Sequence, residues 1–150
     1  MSQSLSSVIL HIIFSTKNRE PWIDAALRPR LHAYLATVGR DNGSEVYRVG
    51  GTADHVHLVA TLSRTVTQAK LLEEIKKHSS RWVKEVDPQY GQFAWQRGYG
   101  TFSVSRSQLD SVIRYIDGQE EHHRNVTFQE EYRSFLTKHG IEFDEHYVWD

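Results

Sequence analysis

The chain of 150 residues contains no cysteine. Disulfide frameworks, thiol nucleophiles and cysteine-ligated zinc are therefore excluded, and any metal must rely on His, carboxylate or amide groups. Neither sign of charge dominates: 18 Lys and Arg against 19 Asp and Glu give a formal net charge of −1. That excludes a protein that coats nucleic acid by bulk charge, while leaving room for a local basic patch. A long apolar run is also missing. The longest, residues 8–14, contains His11 and falls far short of the roughly 20 residues of a membrane helix. No basic segment followed by a cleavable apolar stretch opens the sequence, so a cytosolic protein with no membrane partner is the default. There is no G-x-x-x-x-G-K-[ST] loop, and no nucleotide cofactor is expected. What is present is an ordinary globular composition, 39% hydrophobic and 25% charged, with 9 histidines. The length suits one domain with a real core and is too short for a (β/α)₈ barrel, so residues 1–150 are expected to form a single domain. The histidines are the chemical resource to follow.

Residues 7–14 form a continuous β-branched run, which suits a central strand covered on both faces. Leu27, Leu31, Tyr34, Leu35 and Val38 recur at spacings of three and four, predicting a helix over 25–40 that Asp41-Asn42-Gly43 stops. Residues 45–49 and 54–62 read as two antiparallel strands joined across Gly50-Gly51-Thr52-Ala53, whose glycines permit the positive φ of a hairpin. Leu71, Leu72, Ile75, Trp82, Val83 and Val86 share a helical face over 67–86, ended by Asp87-Pro88. Phe102 and Val104 alternate with small polar residues over 101–105, a half-buried strand. Ser107 with Asp110, and Thr127 with Glu130, resemble capping boxes that open helices over 107–124 and from 127 to Gly140. The order β-α-β-β-α-β-α-α predicts an α+β, ferredoxin-like (RRM-like) antiparallel sheet with helices packed on one face. Residues from about 126 to 150 form a C-terminal helix and a tail whose Phe143, Tyr147, Val148 and Trp149 should dock on the body or on a partner subunit.

Within Asp54-His55-Val56-His57-Leu58-Val59-Ala60-Thr61-Leu62, the strand period of two puts His55 and His57 side by side on one face, opposite Val56, Leu58 and Ala60. Such a pair can hold a divalent cation if a third group faces it; the alternative is two half-buried histidines bonded to backbone carbonyls. On the helix over 107–124, Tyr115, Gln119 and His122 form a stripe beside the apolar face centred on Leu109, Val112 and Ile116. Tyr115 could simply pack its ring and wet its hydroxyl. As a nucleophile, a phenol with pKa near 10 needs a cation-polarised electrophile or a local base, and a metal on the His pair would supply the cation. Gln119, one turn beyond, could add a neutral oxygen ligand. His122 and His123 could replace it or contact phosphate, whereas His11 reads as a hydrogen-bonded core residue. Gly118 inside this helix costs roughly 1 kcal/mol relative to Ala, a local inconsistency.

For nucleic acid, Lys70, Lys77, Arg81 and Lys84 fall within about 60° on the long helix. They form a possible phosphate track, or a solvated face salt-bridged through Glu73 and Glu74. Trp95 and Arg97, with Tyr99, could clamp unpaired bases, or the rings could anchor a loop.

His55-Val-His57 after a Gly-rich turn, Tyr115-Ile-Asp-Gly-Gln119 on a later helix, and the intervening Lys77-His-Ser-Ser-Arg-Trp82 and Trp95-Gln-Arg-Gly-Tyr99 stretches together resemble the single-tyrosine HUH transposases of the insertion-sequence 200/605 type, including the repeat-associated tyrosine transposases. The resemblance covers most of the chain. It implies a metal-dependent enzyme that nicks and rejoins single-stranded DNA at hairpins through a 5′-phosphotyrosine, with Tyr115 as nucleophile and His55, His57 and Gln119 as ligands of Mg²⁺ or Mn²⁺. It also implies a homodimer, often with the tyrosine helix of one subunit completing the site of the other, acting in the cytoplasm on the nucleoid. Three rivals remain: a noncatalytic, domesticated DNA-hairpin-binding protein, a small metal-dependent hydrolase that does not use Tyr115, and an HUH replication or relaxase-type nickase. Replication initiators commonly carry lysine where Gln119 stands.

Overall fold

The computed structural model describes residues 2–150. Four strands, β1 (Ile9–Ser15), β2 (Val46–Gly51), β3 (His55–Thr61) and β4 (Gly100–Val104), form one antiparallel sheet in the order β2-β3-β1-β4. The β-branched run becomes β1, and every residue in it is buried, as expected for a central strand covered on both faces. Two helices, α1 (Arg28–Asp41) and α2 (Gln68–Val86), lie on one face, where Leu31, Leu35, Leu71, Leu72 and Ile75 join Leu10, Ile12, Phe14, Val56 and Leu58 in the main core. This is the α+β, ferredoxin-like arrangement predicted.

Helix packing on one face describes α1 and α2; three further helices add a layer on the other. These are α3 (Leu109–Asp117), α4 (Gln119–His122) and α5 (Phe128–Lys138). Leu109 and Ile116 pack on Ile9 and Val59, and Phe128, Tyr132 and Leu136 pack on Ile13 and Phe102. The physical reason is that Ile9, Ile13 and Val59 give this face apolar surface of its own, which the stripes of α3 and α5 remove from water. His55 and His57, expected to be presented on an open face, are consequently fully buried.

Local chemistry explains two departures in the elements themselves. The single helix expected over 107–124 is interrupted at Gly118, whose amide donates to the carbonyls of Arg114 and Tyr115 and closes α3 before α4 begins. The capping box expected at Ser107 does not form: residues 106–108 wind as a 3-10 turn and the Ser107 hydroxyl pairs with that of Ser105. At Thr127 the box is complete, Thr127 Oγ1 accepting from the Glu130 amide at 3.1 Å while Glu130 accepts from the Thr127 amide. It fixes the start of α5.

Two glycines permit close approaches. Gly51 has φ of 147°, and a Cβ there would lie 2.2 Å from the His55 carbonyl oxygen, so position 51 admits no side chain. At Gly50 a Cβ would meet Ile116 at 2.6 Å from its Cγ2 and 2.8 Å from its carbonyl oxygen. The missing methyl lets α3 rest directly on β2 and thereby fixes the height of Tyr115 above the sheet. The C-terminal tail docks on the body: Trp149 packs near Phe128 and Tyr132 beneath the Arg133 guanidinium, and the Asp150 carbonyl accepts from the Gly98 amide. Among the described residues no helix is long and apolar enough to cross a membrane.

Gly50→Ala is expected to destabilise the protein by about 1–3 kcal/mol, as overpacked sites do, seen as a lower midpoint in urea denaturation. A second expectation concerns His32 on α1, whose Nε2 is buried with no hydrogen-bond partner among the described residues. Burial, then the Arg28 charge, lowers its pKa from 6.5 to about 4. Between these values the unfolded chain binds the proton and the folded one does not, so this group makes stability fall as pH drops from 6.5 to 4. His32→Leu should flatten that acid limb in thermal melts across the same window.

Candidate active site

The strand period delivers the two imidazoles to one spot, and the roof of helices supplies what meets them. At the centre lies Glu131 of α5, 3% exposed. Its Oε1 is 2.9 Å from His57 Nε2, 3.2 Å from His123 Nε2 and 3.5 Å from His55 Nε2. Its Oε2 accepts a hydrogen bond from the Tyr115 hydroxyl and one of 3.1 Å from Gln119 Nε2, with His122 Nε2 at 3.3 Å. Gln119 Oε1 lies 2.9 Å from His55 Nε2. The expected residues His55, His57, Tyr115 and Gln119 are thus gathered around one carboxylate within a single chain.

Outer contacts orient the imidazoles. Asp54 Oδ1 takes the Nδ1 proton of His55 at 2.7 Å and is itself held by the Thr52 hydroxyl at 3.1 Å. His123 donates Nδ1–H to the Val126 carbonyl. His57 Nδ1 pairs with His11 Nε2 at 2.8 Å, so His11 is the hydrogen-bonded core residue anticipated, and its partner is the site itself. With Nδ1 committed, the Nε2 of His55 faces the Gln119 amide oxygen and that of His123 faces Glu131 Oε1, and an acceptor facing an acceptor requires a proton or a metal cation between them. His55, His57, His123 and Glu131 each offer one ligand atom, all within 4.8 Å of one another, a spacing that suits one divalent ion.

The titration behaviour follows from this knot. Burial lowers His57 to about 4 despite the bond to Glu131, and burial together with the facing His57 lowers His11 to about 3. His123 goes the other way, because the hydrogen bond and charge of Glu131 outweigh its burial. Burial would raise Glu131, but the bonds from His123 and His57 outweigh it and hold the carboxyl ionised. Tyr115 is raised by burial and then by the Glu131 bond and charge. The phenol beside this carboxylate is therefore neutral, and attack by it requires positive charge nearby.

The phenol is also reachable. A cavity of about 340 Å³ opens beside it, lined by Tyr115, His122, Glu131, Ser134, Phe135 and Lys138 among others.

The remaining expected residues lie elsewhere. The exposed side of α2 faces away from the sheet on the layer opposite the histidines. There Lys70 and Lys77 each sit 3.0 Å from Glu74 Oε1, so Glu74 rather than Glu73 is the hub of that face; Arg81 and Lys84 are exposed. Trp95 is buried edge-on between Phe14 and Phe93, with its indole N–H donated to Ser79, the packing of the loop-anchor alternative. Arg97 is exposed and lines a separate cavity with Lys17 and Trp149.

Residues 4–119 match the family described as "Transposase IS200 like". The chain belongs to the IS200-like transposase family. The ISDra2 transposase TnpA of Deinococcus radiodurans is similar to it, 28% identical over 118 residues, which is 74% of this chain and 83% of that protein. Two solved structures share the fold of this IS200-like chain. A putative transposase from Deinococcus radiodurans R1 has a TM-score of 0.62 at 21% identity, covering 79% of this chain and 98% of that one. A REP-associated tyrosine transposase bound to a REP hairpin has a TM-score of 0.60 at 17% identity, covering 82% and 74% respectively.

The family match ends at Gln119, and three of the groups that converge here, His122, His123 and Glu131, lie beyond it. Sequence reasoning weighed His123 and missed Glu131. A partial signal existed: at about 100° per residue Glu131 falls at the edge of the apolar stripe of Phe128, Tyr132 and Phe135, and a carboxylate that enters the buried side of a helix must be compensated. Asp54→Asn removes the charged orienter of His55 and is expected to weaken divalent-cation binding about 10–100-fold, measured by calorimetric titration with Mn²⁺.

Proposed function

We propose that this IS200-like transposase nicks and rejoins single-stranded DNA at hairpins through a covalent 5′-phosphotyrosine on Tyr115, in a reaction that depends on Mg²⁺ or Mn²⁺. The observation that carries this reading is the meeting of the Tyr115 hydroxyl with the His55 and His57 imidazoles on one buried carboxylate. His55, His57 and Gln119 are the positions that the resemblance makes ligands, and the acceptors that meet between them support a cation there. A cation bound there would draw charge from a nonbridging phosphate oxygen and lower the barrier to attack.

Tyr115 Oη supplies the nucleophile. Its bond to phosphorus forms as the bond to the 3′ oxygen breaks; the released 3′-hydroxyl can later attack the phosphotyrosine and reverse the step, so no nucleotide cofactor is required. Glu131 Oε2 and His122 Nε2 are the groups within reach of the phenol proton. The cavity beside Tyr115 gives a strand its approach, with Lys138 at its wall for the phosphate backbone. Arg97, Arg81 and Lys84 are the exposed cations that remain as candidate DNA contacts. A homodimer accords with the family. The contact of Tyr115 with the histidines of its own chain supports a site completed in cis, which leaves dimerisation to the handling of DNA. Such an enzyme would work in the cytoplasm on the nucleoid.

The test is to incubate wild type and Tyr115→Phe with Mg²⁺ or Mn²⁺ and labelled hairpin-containing single-stranded DNA from the flanks of the gene. Wild type is expected to form a metal-dependent covalent adduct on a denaturing gel, and the variant none. Hairpin binding without an adduct would identify a noncatalytic binding protein, and cleavage that survives in Tyr115→Phe a hydrolase. For the cis arrangement, a mixture of Tyr115→Phe and His55→Ala subunits should form no adduct; restored adduct formation would place the tyrosine in trans.

A further inference from the structure

Resting on the metal-site reading above, we infer that the cation centre is a three-histidine, one-carboxylate site. His123 and Glu131, both beyond the family match, would act as ligands beside His55 and His57, and this donor set selects a first-row transition dication over Mg²⁺. The geometry gives the two oxygens of Glu131 separate tasks. Oε1 faces the three imidazole Nε2 atoms at 2.9, 3.2 and 3.5 Å, while Oε2 faces Tyr115, His122 and Gln119. A carboxylate so placed reaches the cation with one oxygen and holds the nucleophile with the other, so it sets the spacing between them. The Nδ1 atoms of His55 and His123 are already committed to Asp54 and to the Val126 carbonyl, which leaves their Nε2 atoms free to ligate.

The chemistry of this donor set decides the metal. Mg²⁺ demands oxygen ligands in near-octahedral array and gives up water reluctantly. Imidazole nitrogen favours the later first-row ions, with affinity rising from Mn²⁺ through Co²⁺. A centre built from His55, His57 and Gln119 alone would offer two nitrogens; the additional imidazole of His123 and the anionic Glu131 tilt it further toward Mn²⁺ and Co²⁺.

The experiment is calorimetric titration of the DNA-free protein with Mg²⁺, Mn²⁺ and Co²⁺, for wild type, His55→Ala, His123→Ala and Glu131→Gln. Wild type is expected to bind one ion, with Co²⁺ tighter than Mn²⁺ and Mn²⁺ at least tenfold tighter than Mg²⁺. Glu131→Gln and His123→Ala should each lose at least tenfold for Mn²⁺. Binding that His55→Ala leaves unchanged overturns the metal reading as a whole. Binding that is lost in His55→Ala but unchanged in Glu131→Gln or His123→Ala overturns only the larger ligand set, as does Mg²⁺ binding as tightly as Mn²⁺. Should Glu131→Gln fail to fold, amide hydrogen exchange on wild type answers the same question: added Mn²⁺ should slow exchange along α5, and unchanged α5 exchange under saturating Mn²⁺ overturns the role of Glu131.

Discussion

A carboxylate sealed beneath a helix has lost its water and must recover several kcal/mol from its neighbours if it is to stay ionised. Glu131 recovers it from a ring of donors on four separate segments: His57 on β3, Tyr115 on α3, Gln119 on α4, and His123 in the connection that leads to α5. Each of those side chains is in turn oriented by what Glu131 asks of it. The second layer of the fold is therefore held by two unlike forces: the apolar contacts of α3 and α5 with the sheet, which are tolerant of small shifts, and this polar knot, which is not.

That division explains what could be read in advance. His55 and His57 are two apart in a strand, and Tyr115 and Gln119 four apart in a nearly continuous helical segment, so each pair is assembled by the period of its own element. The β1 run, the long α2 stripe and the Thr127 capping box are likewise local signals, and each appears where its pattern indicates, whereas Gly50 and Gly51, read as the hairpin turn, end β2 instead. The helix boundary at Gly118 was visible as an inconsistency rather than as a break. What the sequence withheld depends on which helix covers which face: the roof over the histidines, the burial of Trp95, and above all the arrival of Glu131, which is 74 residues from His57 along the chain. No period links those positions, and only the packing of α5 brings them together.

The two sides of the sheet also do different work. The face beneath α1 and α2 is almost wholly apolar and gives the molecule its rigid base. Loop 95–99 is tied to that base from above by Lys76, whose ammonium donates to the carbonyls of Gln96, Arg97 and Gly98, and by the indole of Trp95. The site thus stands on strands fixed from behind and on a loop system fixed from the side, which suits reacting groups whose placement must be kept to fractions of an ångström.

The match to the family model stops at Gln119, but the ring around Glu131 closes only with a residue 12 positions farther on. The working unit is consequently longer than the recognisable one. A boundary drawn at the end of that match would keep Tyr115 and the paired histidines and discard the carboxylate on which they meet. The segment that follows Gln119 thus belongs to the same structural unit as the strand that carries the histidines, although it lies outside the matched residues.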